Sequence, residues 1–303
     1  MKHKIYVAGA GGMLGDAINE IFTNEYDLKC TDINDEEHWI SFLDFRDDKK
    51  YESDVQKFSP NFLFHIGAFT DLEYCEKNSD DAYITNSLSV ENAINIANKF
   101  KIPIIYISTA GIFDGNKDLY DDWDEPNPIG VYARSKYIGE RLVETRGNEF
   151  IIVRAGWMMG GGEKKDKKFI QKIMSQIKKG NKKLNIVNDK MGTPTYTIDF
   201  AKNLKLILEK KLWGKYNLVC GGLTDRLEVA KELLKILKLE NEIKINIVSS
   251  EFWKKDYFAP RPKCERLINK KLNLREINIM RDWKVCLNEY ISTYYKNYLN
   301  VRK

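Results

Sequence analysis

The 303-residue sequence contains little of what metal centres and disulfide-bonded folds require. Its three histidines, His3, His38 and His65, form no cluster, and its five cysteines are scattered and outside any metal-ligand spacing. The odd number of cysteines also argues against a disulfide framework. We therefore expect no metal site, free thiols, and a reducing environment, namely the cytoplasm.

Long apolar runs and concentrated positive charge are missing as well. No segment approaches the roughly 20 apolar residues that cross a bilayer, and the N-terminus passes into an apolar stretch too short for a signal peptide. The net charge is +5, but the lysines are interrupted, as in 164–168, whereas a nucleic-acid surface needs a continuous basic stripe. We expect neither a membrane nor a nucleic-acid partner, and a modest anion-binding role for a few lysines stays open.

Short apolar runs alternate with longer amphipathic stretches in the first half of the chain. This alternation predicts a parallel sheet with crossover helices, and the continuous apolar runs suit strands covered on both faces. The predicted fold is α/β, a doubly wound parallel sheet (Rossmann) with a smaller C-terminal α/β substrate lobe. The five strands predicted for this half are 5–8, 26–31, 61–66, 103–108 and 150–154, and the clearest helices are 13–23 and 132–144.

The second half has a less regular pattern. Apolar spacing predicts helices at 167–179, 198–210, 224–237 and near 283–295, and strands at 184–187, 216–220 and 243–248. The predicted dinucleotide-binding Rossmann domain comprises residues 1–156 with 195–220. The predicted substrate-binding lobe comprises residues 157–194 with 221–303.

Three spaced glycines, Gly9, Gly12 and Gly15, follow the first predicted strand and open the first predicted helix. A dinucleotide places its pyrophosphate on the N-terminal amides of such a helix, where the helix dipole is positive and a side chain at Gly12 would block the approach. Gly15 is expected to let the helix pack closely on the strand. The spacing alone is a weak pattern, but its position between a strand and a helix predicts a dinucleotide site.

An acidic residue, Asp32, follows the second predicted strand. A carboxylate at this place can accept hydrogen bonds from the adenosine ribose hydroxyls. The neighbouring residues 34–37 supply no cation for the 2′-phosphate of NADP. NAD(H) is therefore the favoured cofactor, with NADP(H) as the alternative.

Tyr132 and Lys136 stand four residues apart in a predicted helix, so they share a face. A nearby ammonium lowers the pKa of a tyrosine from about 10, and such a tyrosine can exchange a proton with a ketone oxygen as hydride reaches the carbon. A hydroxyl from Ser108 or Thr109, at the end of the fourth predicted strand, can hydrogen-bond the same oxygen. From spacing alone, the alternative is a buried tyrosine beside a surface lysine.

Together these motifs resemble those of the extended short-chain dehydrogenases/reductases, and within that superfamily those of the dTDP-4-dehydrorhamnose reductases. The similarity runs nearly from end to end, and the stretch Asp-Lys-Met-Gly-Thr-Pro-Thr is the part most typical of the latter family. The matching segments are 8–15, 65–71, 107–115, 132–140, 154–157, 187–195 and 261–267, with Asn86 and Trp283.

The resemblance implies reduction of the C4 ketone of a nucleotide-linked deoxysugar, by a protein that is commonly a homodimer. Tyr132 would donate the proton, Lys136 would modulate it and anchor the cofactor ribose, and Thr109 would hydrogen-bond the carbonyl. The nucleotide-sugar substrate would also contact Thr70, Trp157 along the sugar, and Arg261 near the diphosphate. The other cofactor contacts that it implies are Met13, Leu14, Asp44, Phe45, Ile66, Gly67 and Ala68.

The sequence departs from this family near the expected sugar pocket. Ala110 and Gly111 replace an Asp-Tyr pair, whose tyrosine normally lines the pocket, so space opens for another 4-keto sugar. Cys264 replaces an asparagine after the Arg-Pro motif, and the glycine- and lysine-rich tract 158–168 is either a flap over the substrate or an ordinary surface loop.

Two other functions stay open. One is a nucleotide-sugar epimerase or dehydratase with tightly bound NAD. The other is a non-catalytic regulatory subunit similar to the β subunit of methionine adenosyltransferase, since a fold does not guarantee chemistry. The presence of Thr109, Tyr132 and Lys136 together favours an enzyme.

Overall fold

The computed structural model describes residues 2–296 and 298. The strands in chain order are β1 (His3–Ala8), β2 (Tyr26–Asp32), β3 (Ile40–Phe42), β4 (Phe62–His65), β5 (Ile104–Thr109), β6 (Phe150–Ala155), β7 (Trp157–Met159), β8 (Lys183–Val187), β9 (Met191–Gly192), β10 (Pro194–Tyr196), β11 (Gly214–Asn217), β12 (Thr224–Asp225), β13 (Lys244–Val248) and β14 (Cys264–Glu265). The central sheet has seven parallel strands in the order β11-β6-β5-β4-β1-β2-β3.

Helices connect the strands and cover both faces of the central sheet. A π-helical turn, Ile84–Leu88, joins α4 to α5, and short 3₁₀ turns lie at Ala110–Ile112 and Ser250–Trp253. The α-helices are α1 (Met13–Phe22), α2 (Asp48–Phe58), α3 (Leu72–Lys77), α4 (Ser79–Tyr83), α5 (Ser89–Phe100), α6 (Val131–Arg146), α7 (Gly162–Lys165), α8 (Phe169–Lys178), α9 (Thr197–Glu209), α10 (Arg226–Ile236), α11 (Lys270–Leu274) and α12 (Trp283–Tyr294).

Successive residues of the central strands face two different hydrophobic cores. In β1, Ile5 and Val7 pack into one core with α1 and α9, whereas Tyr6 and Ala8 pack into the other with α2 and α5. All four side chains are fully buried. This is the period-two pattern of a strand covered on both faces, and it confirms the predicted doubly wound Rossmann architecture.

Smaller sheets form from the remaining strands, in the pairs β10-β7 and β13-β8 and the triplet β12-β9-β14. They lie in the half of the chain that was assigned to the substrate lobe, apart from β10. The larger hydrophobic core nevertheless continues from the central sheet through α10 to α12. The two predicted lobes therefore share one core.

The elements that differ most from the predicted ones are short or contain few buried apolar residues. β3 and α2 were not predicted, because β3 has one buried residue, Ile40, and α2 has only Tyr51 and Val55. The strand predicted at 216–220 ends at Asn217, although residues 218–220 remain buried. The helix predicted from 224 begins at Arg226, with the Asp225 side chain accepting a hydrogen bond from the Glu228 N–H as its cap.

The cysteines are all free and buried, as the sequence predicted. Within residues 2–296 and 298, no helix has the length and apolar character needed to cross a membrane. In that same part of the chain, no group of three or more histidine, cysteine or acidic side chains could hold a metal ion.

Candidate active site

The glycine turn after β1 requires glycine for two close backbone approaches. Gly9 has a φ of +88°, and a Cβ atom there would lie 2.1 Å from the Gly67 Cα. A Cβ atom at Gly15 would lie 1.9 Å from the Ala10 carbonyl oxygen. Gly15 thus lets α1 close onto the turn itself, whereas the sequence had suggested packing on the strand.

Gly12 differs from these two because no protein atom lies within 4 Å of the position that its Cβ would take. Open space therefore adjoins the start of α1, where the first backbone N–H groups have no acceptor within the helix. Gly12 precedes Met13, Leu14 and Gly15, whose amides belong to this first turn. The residues present fit a dinucleotide whose pyrophosphate would be held by these amides.

Asp32, at the end of β2, is tied to the glycine turn. Its Oδ2 accepts a hydrogen bond of 2.8 Å from the Gly11 N–H, and its Oδ1 accepts one of 2.9 Å from the Asn34 N–H. A carboxylate has further lone pairs, so both oxygens keep capacity to accept from ribose hydroxyls. The position beside the turn is the one that the sequence predicted.

The structure also brings cations close to this acidic end of β2. Lys164 Nζ lies 2.7 Å from a Glu37 carboxylate oxygen, and Lys165 Nζ lies 3.8 Å from the same atom. Lys165 also donates a hydrogen bond of 3.0 Å to the Gly11 carbonyl. These two lysines of α7 are far along the chain from residues 34–37, so the sequence around Asp32 gave no indication of them.

The other predicted cofactor residues lie around Gly67. The N–H groups of Ile66 and Gly67 both donate to the Ala8 carbonyl, at 2.9 and 3.1 Å, which sets this segment beside Gly9. A Cβ atom at Gly67 would lie 2.4 Å from the Phe45 ring, so the ring packs directly on that backbone. Ala68 follows and is half-buried.

Asp44, which precedes this ring, binds the guanidinium of Arg46. The nitrogens Nε and Nη2 of Arg46 donate to its oxygens at 2.9 and 2.6 Å. These hydrogen bonds hold the pKa of Asp44 below its usual value. The carboxylate therefore positions the loop that carries Phe45, and any cofactor contact at Asp44 remains a prediction.

Tyr132 lies in the first turn of α6 and meets Thr109 from the end of β5. Burial raises the pKa of Tyr132 to about 12, against a smaller lowering by the neighbouring Thr109 hydroxyl. The charge of Glu265 raises it further. The lowering of this pKa by Lys136 that the sequence suggested is therefore not found, because burial outweighs the other effects.

Lys136 lies one helical turn after Tyr132 and is almost completely buried. Its Nζ lies 4.2 Å from the centre of the Tyr106 ring, and the Tyr106 hydroxyl donates to the Lys136 carbonyl at 3.0 Å. Burial lowers the pKa of Lys136 to about 7, against the opposing charge of Glu140. Near neutral pH this lysine can therefore release or take up a proton.

Buried polar side chains fix the catalytic helix in place. The Asn86 side chain, in the π-helical turn, exchanges two hydrogen bonds with the Phe69 backbone, at 2.9 and 3.0 Å, and donates to the Ser135 hydroxyl at 3.1 Å. Behind the helix, Arg154 and Glu140 form a fully buried ion pair of 2.6 Å. The position of α6 therefore rests on contacts with the π-helical turn, which also binds the segment after β4, and with β6.

Trp157, predicted to lie along the sugar, is surrounded by protein groups that the sequence did not identify. Its indole Nε1 donates a 2.7 Å hydrogen bond to Glu265 Oε2. The Arg226 guanidinium carbon lies 3.6 Å from the centre of the Trp157 ring and 4.5 Å from that of Phe169. A Cβ atom at Gly192 would overlap the ring, at 2.1 Å, which explains a glycine in the 187–195 motif.

Arg226 and Glu265 are the functional candidates that sequence reasoning missed. Within the described part of the chain, the Arg226 side chain has neither a hydrogen bond nor an ion pair. Burial lowers its pKa to about 10, with Glu265 as the main opposing charge. Arg226 begins α10 directly after a capping aspartate, so in the sequence it reads as an ordinary first-turn residue.

Arg261 and Thr70, the two other predicted substrate residues, have protein partners. The Arg261 guanidinium binds both oxygens of Glu73, at 2.7 and 2.8 Å. The Thr70 hydroxyl and carbonyl both accept hydrogen bonds of 3.0 Å from Lys168 Nζ. Neither residue shares a hydrogen bond with the Thr109–Tyr132 pair, and their substrate contacts remain predictions.

The tract 158–168 is held in place by hydrogen bonds to several parts of the chain. Gly161 and Gly162 both have φ of +64°, which a larger side chain rarely adopts. The Asp166 carboxylate accepts a 2.9 Å hydrogen bond from the Tyr290 hydroxyl. Lys165 and Lys168 donate to the carbonyls of Gly11 and Thr70. The tract is thus attached both to the glycine turn and to the segment after β4.

Solved structures resemble the chain over nearly its whole length. The dTDP-4-dehydrorhamnose reductase of Bacillus anthracis, in complex with NADP, has a TM-score of 0.86 and 27% identity, covering 96% of this chain and 99% of its own. A UDP-glucose 4-epimerase of Thermotoga maritima has a TM-score of 0.80 but 16% identity, covering 98% and 99% of the two chains, so it shows a common fold only.

Relatives by sequence include dTDP-4-dehydrorhamnose reductases, a polysaccharide biosynthesis protein and a methionine adenosyltransferase subunit. The spore coat polysaccharide biosynthesis protein SpsK of Bacillus subtilis is 25% identical over 95% of this chain and 96% of its own. A dTDP-4-dehydrorhamnose reductase of Aggregatibacter actinomycetemcomitans is 30% identical over 70% and 69%. The methionine adenosyltransferase 2 subunit beta of Danio rerio is 26% identical over 69% and 64%.

A family model describes almost the entire chain. The model is that of the RmlD substrate binding domain, and it matches residues 3–296. It therefore spans the glycine turn, the Thr109–Tyr132 pair and the Trp157–Glu265 contact together. The chain belongs to the RmlD substrate binding domain family.

Proposed function

We propose that the protein reduces the C4 ketone of a nucleotide-linked deoxysugar, as a dTDP-4-dehydrorhamnose reductase does, with a nicotinamide cofactor. The observation that carries this proposal is the pair of neighbouring hydroxyls, Thr109 and Tyr132, at the carboxyl end of β5, in the same sheet whose β1 leads into the glycine turn. The reductases among the relatives support it, including the one solved with NADP. SpsK supports a role in making surface polysaccharide.

In this mechanism the chain holds the ketone and supplies the proton. The Thr109 and Tyr132 hydroxyls donate hydrogen bonds to the carbonyl oxygen and stabilise its developing negative charge. A bound reduced nicotinamide supplies the hydride. Tyr132, kept protonated by burial, gives its proton to the oxygen. Lys136, with a pKa of about 7, is suited to restore that proton.

We propose that Arg226 binds the diphosphate of the substrate. Its guanidinium is stacked on Trp157 and has no anionic partner among the described residues, whereas Arg261 is neutralised by Glu73. A planar guanidinium binds phosphate oxygens in pairs. Arg261 remains the second candidate for this contact, as the sequence suggested.

Both NAD(H) and NADP(H) are compatible with the residues around Asp32. Asp32 supports NAD(H), while Lys164 and Lys165 supply the cations that NADP(H) would need, so both cofactors belong in the test. We further propose a cytoplasmic homodimer, with residues 1–156 and 195–220 binding the cofactor and 157–194 and 221–303 binding the substrate. Free buried thiols support the reducing compartment, and the composition of the central sheet supports this division.

The test is cofactor oxidation with a panel of dTDP-, UDP-, GDP- and CDP-linked 4-keto sugars, using NADH and NADPH. We expect turnover with at least one deoxysugar nucleotide. Interconversion of sugars without net cofactor oxidation, together with NAD that survives purification, would identify an epimerase. Absence of any turnover, with tight association to a second enzyme, would identify a regulatory subunit.

A further inference from the structure

Gly111 is buried, and the Thr109 hydroxyl and the Glu265 carboxylate both lie close to where its side chain would be. A Cβ atom at Gly111 would lie 3.3 Å from Glu265 Oε1 and 3.5 Å from Thr109 Oγ1. Both oxygens therefore border the same small volume. The departure of this sequence from its family at position 111 is thus matched by an acidic side chain from a segment far along the chain.

Only one of the two oxygens of the Glu265 carboxylate has a hydrogen-bond partner among the described residues. Oε2 accepts the hydrogen bond from Trp157, whereas Oε1 has no donor or cation within bonding distance among the residues that the structure describes. Arg226 and Lys190 act on Glu265 only as more distant charges. A half-buried carboxylate oxygen without a donor gains free energy when a ligand donates to it.

The position of Glu265 is set by the fold rather than by a mobile loop. It is the second residue of β14, which pairs with β9, and Glu265 is in register with Gly192. Gly192 in turn packs against the Trp157 ring. Backbone pairing and the indole hydrogen bond therefore hold the carboxylate toward Thr109 before any substrate binds.

We propose that Glu265 determines sugar specificity, by accepting a hydrogen bond at Oε1 from a hydroxyl or amino group on the carbon next to the ketone. This inference rests on the proposed function, in which Thr109 and Tyr132 hold the C4 oxygen. A substituent on the adjacent carbon is then the part of the sugar that lies nearest to Oε1. An ionised carboxylate can only accept, so a sugar without a donor there leaves the oxygen desolvated and unpaired.

The experiment compares 4-keto-6-deoxysugar nucleotides that carry or lack a hydroxyl at C3. We expect the wild-type protein to prefer the 3-hydroxy substrate at least about 100-fold in kcat/KM, and Glu265→Gln to reduce that preference at least about tenfold. Dissociation constants for the cofactor should not change. The glutamine keeps an oxygen for Trp157 but removes the charge, and the matched control is Glu251→Gln, an exposed acid in the same half of the chain.

A second measurement separates recognition from a purely structural role. Because the charge of Glu265 raises the pKa of Tyr132, Glu265→Gln should shift the alkaline limb of the kcat/KM profile to lower pH. Sugar nucleotides that are already reduced at C4 and carry an amino group, a hydroxyl or only hydrogen at C3 would serve as competitive inhibitors. Their inhibition constants would show which donor Oε1 of Glu265 prefers. If the glutamine variant is unstable, Gly111→Ala provides the same test, since its methyl group would crowd Oε1.

The outcomes distinguish this inference from the function on which it rests. Equal kcat/KM of the wild-type protein for the 3-hydroxy and 3-deoxy substrates would overturn the role of Glu265 and leave the reductase intact. The same conclusion follows if Glu265→Gln or Gly111→Ala preserves the full preference. Absence of turnover with every 4-keto sugar would overturn the reductase itself.

Discussion

The site has a cofactor half, around the glycine turn, and a substrate half, around Trp157, and the two are built in different ways. Around the glycine turn, the functional groups come from strand ends, and Gly9, Asp32 and Thr109 each follow or end a strand of one parallel sheet. Around Trp157, they come from β7, α8, α10 and β14, and the Trp157–Glu265 hydrogen bond joins residues 108 positions apart. The first arrangement can be recognised from local motifs, whereas the second exists only after folding.

The two halves also differ in how their charges are satisfied. In the cofactor half, Asp32 accepts two backbone hydrogen bonds, and Arg46 and Asp44 neutralise each other. In the substrate half, Arg226 and one oxygen of Glu265 have no bonding partner among the described residues. These two groups of opposite charge are therefore available to a polar ligand.

The largest effect is expected from Tyr132→Phe, which removes the proton donor and keeps the ring. Turnover should fall by about 100- to 10,000-fold, the usual contribution of general acid catalysis. The NADPH dissociation constant, measured by fluorescence titration, should stay within about twofold. Tyr137→Phe, on the same helix and outside the site, is the control, and an active Tyr132→Phe variant would refute the proposed mechanism.

Arg226→Gln tests the substrate half directly. Hydrogen bonds to charged groups contribute about 1.5–3 kcal/mol, so we expect dTDP to bind roughly 10- to 100-fold more weakly while thymidine binds unchanged. Titration calorimetry with both ligands would isolate the contribution of the diphosphate. Arg275→Gln, an exposed arginine of the same half, is the control. An unchanged ratio of dTDP to thymidine affinity would transfer the diphosphate to Arg261.

Lys136 predicts a pH dependence of stability in the cofactor half. Its pKa is about 7 in the folded protein and 10.5 in its ordinary state, so the unfolded chain binds more protons between these values. The free energy of unfolding contributed by this group therefore rises as pH increases from about 7 toward 10. The Tm of the wild-type protein relative to Lys136→Met should increase by several degrees between pH 6.5 and 9. A constant difference would contradict the burial effect.

The same contrast explains what the sequence could predict. The central strands were predicted because continuous apolar runs are required where both faces are covered, whereas β3 and α2 bury few residues and left no such pattern. Tyr132 and Lys136 were predicted because a spacing of four residues puts them on one helix face, and Thr109 because it follows a predicted strand of the sheet. Glu265 and Arg226 were not, because nothing near them in the sequence shows that Gly111 and Trp157 are their neighbours.

The smallest effect concerns the choice between NAD(H) and NADP(H), for which Asp32 and the two lysines of α7 have opposite consequences. Lys164 pairs with Glu37 and is largely exposed, so its charge should strengthen NADPH binding only about two- to fivefold, the range of exposed ion pairs. Lys164→Ala should therefore weaken NADPH and leave NADH unchanged, with the exposed Lys179→Ala as the control. Glu37→Gln should have the opposite effect, because it releases both lysines of α7 for the 2′-phosphate. If neither variant changes the ratio of the two affinities, α7 has no part in cofactor choice and Asp32 alone determines it.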